Sequence, residues 1–216
     1  MAEGNPSPSE SLSTRPKRVG SQKVNVVKLD MEKWKREKSE LILDTPFFKV
    51  RKDIVVLPDG REYSWIYWDS NDSVMVLGMT EEKKLVMIKQ YRYLVNDVVI
   101  EFPSGGLHKD ERPEIGAKRE LEEETGFACS ELMPLGSFYE TYGSLNRKIH
   151  IFFAPNVMKS KQNLDAGEEG YENIDVELID FQTAVDLAMQ NKIVAMGSSL
   201  AVLLLREKVA RAEVVI

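Results

Sequence analysis

Apolar residues in this chain fall in short runs of five to ten positions, cut by turn residues, and only two stretches carry a helical period outside the middle of the chain. Val24, Val26 and Val27 make a β-prone start. Phe47 to Val56 and Arg61 to Trp68 read as two strands joined by Leu57-Pro58-Asp59-Gly60, where Pro presets φ and Gly takes positive φ. Trp65 and Trp68 are three apart and therefore face opposite sides of their strand. The charged run Glu32–Lys38, with Trp34 inside it, reads as a short helix or irregular segment. Strands follow at 73–79 and 84–91 around the turn Thr80–Lys83, then at Val98 to Phe102, 132–142, 147–154 and Asp175–Ile179, with a polar acidic loop at 158–173. Asp180 is positioned to cap a helix to about Asn191, with Val185, Ala188 and Met189 inward, and a second helix at 197–212 carries Leu200, Leu203 and Leu204.

Strands with helices before and after the later ones predict an α/β (α+β) architecture, a sheet sandwiched between helices. Residues 1–22 are rich in Ser, Pro, Gly and charge and read as a disordered tail, with the basic cluster Arg15-Pro16-Lys17-Arg18 as part of its solvated surface. The remainder divides into a strand-rich N-terminal unit, 23–68, and a larger domain, 69–216.

Charge and cysteine content narrow the partners. A net charge of −6 speaks against broad binding to nucleic acid or to an anionic membrane. One cysteine, Cys129, rules out an internal disulfide framework and suits a reducing compartment; a buried or loop thiol is its plain reading. The longest apolar run, near Leu200 to Leu205, is far too short to span a bilayer, and residues 1–22 lack the apolar stretch of a secretory signal. The expected location is cytoplasmic.

The chemistry concentrates between Gly105 and Phe127. Pro113 suits the first position of a helix and Gly126 the left-handed position just past its end. Between them Ile115, Ala117 and Leu121 offer a packing side, while Glu120, Glu123 and Glu124 stand at i, i+3 and i+4 and share one face. Such crowded carboxylates repel unless a cation sits among them, and hard oxygen donors suit Mg²⁺ or Mn²⁺. Arg112 is a poor N-cap, costing about 1 kcal/mol. Gly116 inside the helix costs about 1 kcal/mol against Ala and hints at close approach by another segment.

The spacing Gly105, Glu111, Arg119-Glu120-Leu121-Glu122-Glu123-Glu124-Thr125-Gly126-Phe127, with Glu122 and Thr125 as unspecified spacers, matches every specified position of the Nudix box. Nine such positions arise by chance in fewer than about one chain in 10⁵. Gln90-Tyr91-Arg92 and Glu101-Phe102-Pro103-Ser104-Gly105 resemble the segments that precede the box in the ADP-ribose pyrophosphatases and related nucleoside-diphosphate-sugar hydrolases. That resemblance implies an α/β/α sandwich around a mixed sheet, with an N-terminal β subdomain that completes a homodimer. It implies metal ligands at Glu120 and Glu124, an additional one at Glu123, and the backbone carbonyl of Ser104. It gives Arg119 a supporting role, paired with Glu111. Arg92 would contact substrate, Glu101 the nucleotide portion, and Trp65 would stack the base or else belong to the core. The general base falls on Glu172, with Glu169 as the alternative. The implied reaction is Mg²⁺-dependent hydrolysis of ADP-ribose or a related ADP-sugar to AMP and a sugar phosphate. GDP-sugars, dinucleoside polyphosphates, or nucleotide sensing without turnover are the alternatives. One departure bears on this: the branch has Pro-Gly where this chain has Tyr142-Gly143, and a tyrosine there resembles hydrolases of dinucleoside polyphosphates.

Overall fold

Three strands open the structure, a computed structural model that describes residues 31–46, 48–162 and 173–216. β1 (Lys35–Asp44), β2 (Lys49–Val56) and β3 (Glu62–Trp68) form an antiparallel meander in that order. The tail predicted at 1–22 and the valines at 24–27 lie outside the described residues, and those from Glu32 onward belong to one compact unit. Glu32–Lys38 is neither helix nor irregular throughout, because β1 begins at Lys35. All ten of its residues are exposed, so no apolar alternation marks it. The ladder to β2 makes it a strand.

The second sheet is built from β4 (Ser73–Met79), β5 (Lys84–Arg92), β6 (Asp97–Glu101), β7 (Ser104–Gly106), β9 (Met133–Tyr139), β10 (Lys148–Ala154) and β12 (Ile174–Asp180). A ribbon of β8 (Phe127–Cys129) and β11 (Val157–Lys159) stands apart from it. Helix α1 (Pro113–Thr125) follows β7, and α2 (Phe181–Met189) and α3 (Met196–Ala210) close the chain. The sheet order is β12-β5-β4-β10-β9, with β4 and β10 parallel and the other pairs antiparallel, so the sheet is mixed. β4 and β5 pair only at Gly78↔Val86 and Met79↔Leu85. Beyond that they part, and β6 (on β5) and β7 (on β4) fill the gap. This wedge brings the segment before α1 into the middle of the sheet.

Both faces are covered, which is why β4 is apolar almost throughout and buried at every residue. Val74 and Val76 point to one side, against Ala117 and Leu121 of α1. Met75, Leu77 and Met79 point to the other, against Ala184 and Val185 of α2 and Ala201, Val202 and Leu205 of α3. The layering is therefore helix, mixed sheet, helices. Each large side chain fully buried here contributes about 1.5–3 kcal/mol.

Several local expectations need correction. Met189 and Ile115 are exposed, since neither falls on the stripe that meets the sheet. Helix α3 does carry Leu200, Leu203 and Leu204; they flank its innermost positions Ser198, Ala201, Val202 and Leu205. Asp180 precedes α2 but makes no capping bond, because its carboxylate takes the Lys84 ammonium at 2.6 Å across β12 and β5. The strand predicted over 132–142 ends at Tyr139, and Glu140 to Asn146 form a turn. No helix among the described residues is long and apolar enough to cross a membrane.

Candidate active site

Helix α1 starts on Pro113 after Arg112, which supplies no side-chain cap, and ends at Gly126 with φ 66°. There the Gly126 N–H donates to the Glu122 carbonyl at 2.9 Å. Glu120 and Glu124 are 9% and 5% exposed, so two carboxylates one turn apart are nearly withdrawn from solvent. The cation set among these acids is Arg119. Its Nη1 donates to Glu120 Oε1 at 2.7 Å and to Glu123 Oε2 at 3.0 Å. Its Nε and Nη2 donate to Glu111 at 3.1 and 3.0 Å, and Nη2 also reaches the Gly106 carbonyl at 3.0 Å. The pairing of Arg119 with Glu111 is thus present as read from the sequence. The two further contacts to the box acids were not foreseen. Arg119 beside it holds the Glu111 carboxyl down at about 2, with the His108 N–H helping and burial opposing. The same contacts raise the Arg119 guanidinium above its ordinary range.

β7 runs along this helix as a thin wall. The Ser104 N–H donates to Glu124 Oε2 at 2.8 Å. A Cβ on Gly105 would land inside the carboxyl group of Glu120, whereas one on Gly106 would meet nothing within 4 Å. Only a residue without a side chain lets the acid rest on the strand. Gly116 has the close neighbour its place suggested: a Cβ there would strike Leu107 and stand 3.1 Å from Glu111 Oε2. The donor set suits a hard divalent cation, with Glu120 and Glu124 adjacent to one another and Glu123 beside them. Among the described residues no three His, Cys, Asp or Glu side chains already converge as a ligand cluster. Here Arg119 and the Ser104 N–H engage the acids instead.

Ser104–Gly106 also line a cleft of about 440 Å³, together with Arg92, Glu101 and Arg147. Glu101 is buried, and Arg92 grips its Oε1 with Nε at 2.7 Å and Nη2 at 2.6 Å. The Arg92 fork is therefore already held by an acid within the cleft. Trp65 does not line it; its indole packs edge-on against Trp34 and Tyr63, at 5.8 and 5.6 Å between centroids. Glu169 and Glu172 lie outside the described residues. The Cys129 thiol is pushed up by burial, which leaves it a packing group.

Two features escaped the sequence reading. Gln162 Nε2 donates to the Glu124 carbonyl at 2.6 Å, the Ser160 N–H donates to the Gly126 carbonyl at 2.6 Å, and the Ser160 hydroxyl donates to Glu122. Together they clasp the end of α1. The second is Arg147, whose Nε meets Glu140 Oε2 at 2.6 Å across the turn between β9 and β10. Its charge at the start of a strand was visible; its place in the cleft depends on folding.

Comparison with known proteins agrees with this geometry. Residues 69–195 match the NUDIX domain, and residues 34–65 match the nucleoside diphosphate sugar hydrolase N-terminal domain. The chain is 37% identical over 116 residues to an ADP-ribose pyrophosphatase of Bacillus subtilis, a match covering 53% of this chain and 63% of that protein. It is 33% identical over 153 residues to a methanol dehydrogenase activator of Bacillus methanolicus, covering 71% and 80%. It is 30% identical over 149 residues to a GDP-mannose pyrophosphatase of Escherichia coli, covering 66% and 75%. A crystal structure of an ADP compounds hydrolase shares the fold, with a TM-score of 0.73 over 85% of this chain and 98% of that one at 19% identity. Since the NUDIX match takes in α1, the β7 wall and most of the cleft beside it, the chain belongs to the Nudix hydrolase family.

Proposed function

We propose that the protein hydrolyses the diphosphate bond of ADP-ribose or a related ADP-sugar, releasing AMP and a sugar phosphate, with Mg²⁺ or Mn²⁺ as cofactor. The observation that carries this reading is the β7 wall. Glu120 and Glu124 abut its backbone, and the same three residues line a cleft that contains Arg92.

Glu120 and Glu124 would hold the metal, with Glu123 and the Ser104 carbonyl as further donors. A bound divalent cation neutralises a diphosphate and lowers the pKa of a coordinated water. Arg92 orients phosphate oxygens, and Glu101 both fixes Arg92 and faces the nucleotide portion. Glu172, or Glu169 in its place, takes the proton of the attacking water. Water oxygen bonds to one phosphorus as the bridging P–O bond breaks. Trp65 stacks the base within a homodimer formed through the 23–68 unit. A cytoplasmic setting completes the proposal.

A GDP-sugar is the second reading, favoured by the likeness to the Escherichia coli GDP-mannose pyrophosphatase. Purified protein with Mg²⁺ is given ADP-ribose, ADP-glucose, GDP-mannose and a diadenosine polyphosphate. AMP released fastest from ADP-ribose supports the first reading, and GMP from GDP-mannose the second. Glu124→Gln should cut turnover at least about 100-fold while the fold persists. Tight nucleotide binding with no turnover on any compound would make the protein a sensor.

A further inference from the structure

We propose that the Glu140–Arg147 pair, seated on Trp68, is the subsite that reads the hydroxyls of the substrate's second sugar. This rests on the diphosphate-sugar reading above and gives that sugar a place. The sheet register sets the layout: Gly106 pairs with Ser73, and Ser73 with Ile149. β6, with Glu101, therefore lies to one side of the β7–β4 pair, and β9 and β10, with Glu140 and Arg147, lie to the other. Both Arg–Glu pairs line one cleft. A molecule whose diphosphate lies over Ser104–Gly106 and whose nucleotide half meets Arg92 and Glu101 extends its remaining half toward Glu140 and Arg147.

The chemistry of the pair selects what that half is. The pair sets a donor fork beside a carboxylate acceptor, 2.6 Å apart. A sugar suits both partners: the guanidinium donates to hydroxyl oxygens and the carboxylate accepts from hydroxyl hydrogens. Phe138, Ile149 and Leu200 line the same cleft and offer apolar surface to ring carbons. The pair is also held in place before any ligand arrives. The Arg147 guanidinium lies 5.5 Å from the centre of the Trp68 ring, and Phe48 backs that ring at 4.8 Å. The Trp68 N–H donates to the Ser144 carbonyl at 2.8 Å, and the Asn146 amide donates to Asp69 Oδ1 at 2.6 Å. The turn carrying Glu140 is thereby tied to the end of β3. Fixed donors spare the ordering cost of binding.

The test uses the full chain and the variants Arg147→Gln, Arg147→Lys and Glu140→Gln, each checked for an unchanged melting curve. ADP shares the nucleoside and diphosphate of ADP-ribose but lacks the second sugar. KM for ADP-ribose should rise about 10- to 100-fold in Arg147→Gln and Glu140→Gln, while the inhibition constant of ADP stays within about twofold. Arg147→Lys, without the fork, should also weaken ADP-ribose. Trp68→Leu should move KM the same way by a smaller factor, and Trp68→Phe should restore it. Unchanged ADP-ribose kinetics in all three variants, or a parallel rise for ADP, would overturn the assignment. Calorimetric titration with ADP-ribose and ADP separates the two claims. An affinity contrast without turnover sinks the hydrolase reading and keeps the subsite; turnover without a contrast does the reverse. Binding of neither sinks both.

Discussion

The Glu111 carboxylate and the Arg119 guanidinium meet edge to edge, Nε to Oε1 at 3.1 Å and Nη2 to Oε2 at 3.0 Å. Arg119 is thereby fixed with Nη1 between Glu120 and Glu123. Glu111→Gln should destabilise the fold by about 2 kcal/mol at pH 7, discounted for solvent near the rim. The folded carboxyl sits at about 2, against an ordinary 4.5. A lowered folded pKa means that this stability is complete above the ordinary value and is lost as pH falls toward 2. Urea unfolding of both proteins should show a gap at pH 7 that narrows below about pH 4. A gap independent of pH would remove the ionic part of the account.

Gly105 and Gly106 differ in what lies where a side chain would be, and that difference predicts opposite outcomes. Gly105→Ala forces the Glu120 carboxyl off the strand, so the Mg²⁺ concentration for half-maximal turnover should rise at least about tenfold. Gly106→Ala meets no atom and should leave that concentration within about twofold. Metal titrations of initial rate check both.

These contrasts show which parts of the site could be read from the sequence. Glu111, Arg119, Glu120, Glu124 and Gly126 lie in one continuous stretch, where a helical period and one loop suffice to bring them together. Glu140, Arg147 and Trp68 come together only through the antiparallel turn from β9 to β10 and the parallel bridge of Trp68 with Leu145. No short-range pattern encodes that bridge. β1 escaped because a strand without a buried face has no alternation to detect. Asp180 misled because capping propensity is local, whereas its partner Lys84 is supplied by the β12–β5 register.

The β1–β3 sheet exposes Leu41, Leu43 and Ile66. If the homodimer forms through this unit, Ile66→Glu should bring the mass in sedimentation equilibrium from twice 24.6 kDa to that single value. ADP-ribose turnover should fall with it, since Trp65 would no longer reach a partner. A monomeric wild type would remove both expectations.

The clasp on the end of α1 yields a last pair of variants. The carbonyls in the final turn of a helix lack intrahelical partners, and Gln162 supplies one to Glu124 at 2.6 Å. Gln162→Met keeps the length and removes the donor, so it should cost about 1 kcal/mol. Gly126 stands at φ 66°, and a Cβ there would come within 2.9 Å of the Gln162 backbone nitrogen. Gly126→Ala therefore combines left-handed strain with a clash against the clasp and should cost more, about 2–3 kcal/mol. Because Glu124 sits in that last turn, both variants should raise the Mg²⁺ requirement in the same order, Gly126→Ala above Gln162→Met. Paired thermal melts and metal titrations decide it. Lost stability with an unmoved Mg²⁺ requirement would make the clasp a brace for the fold alone, without influence on the acids.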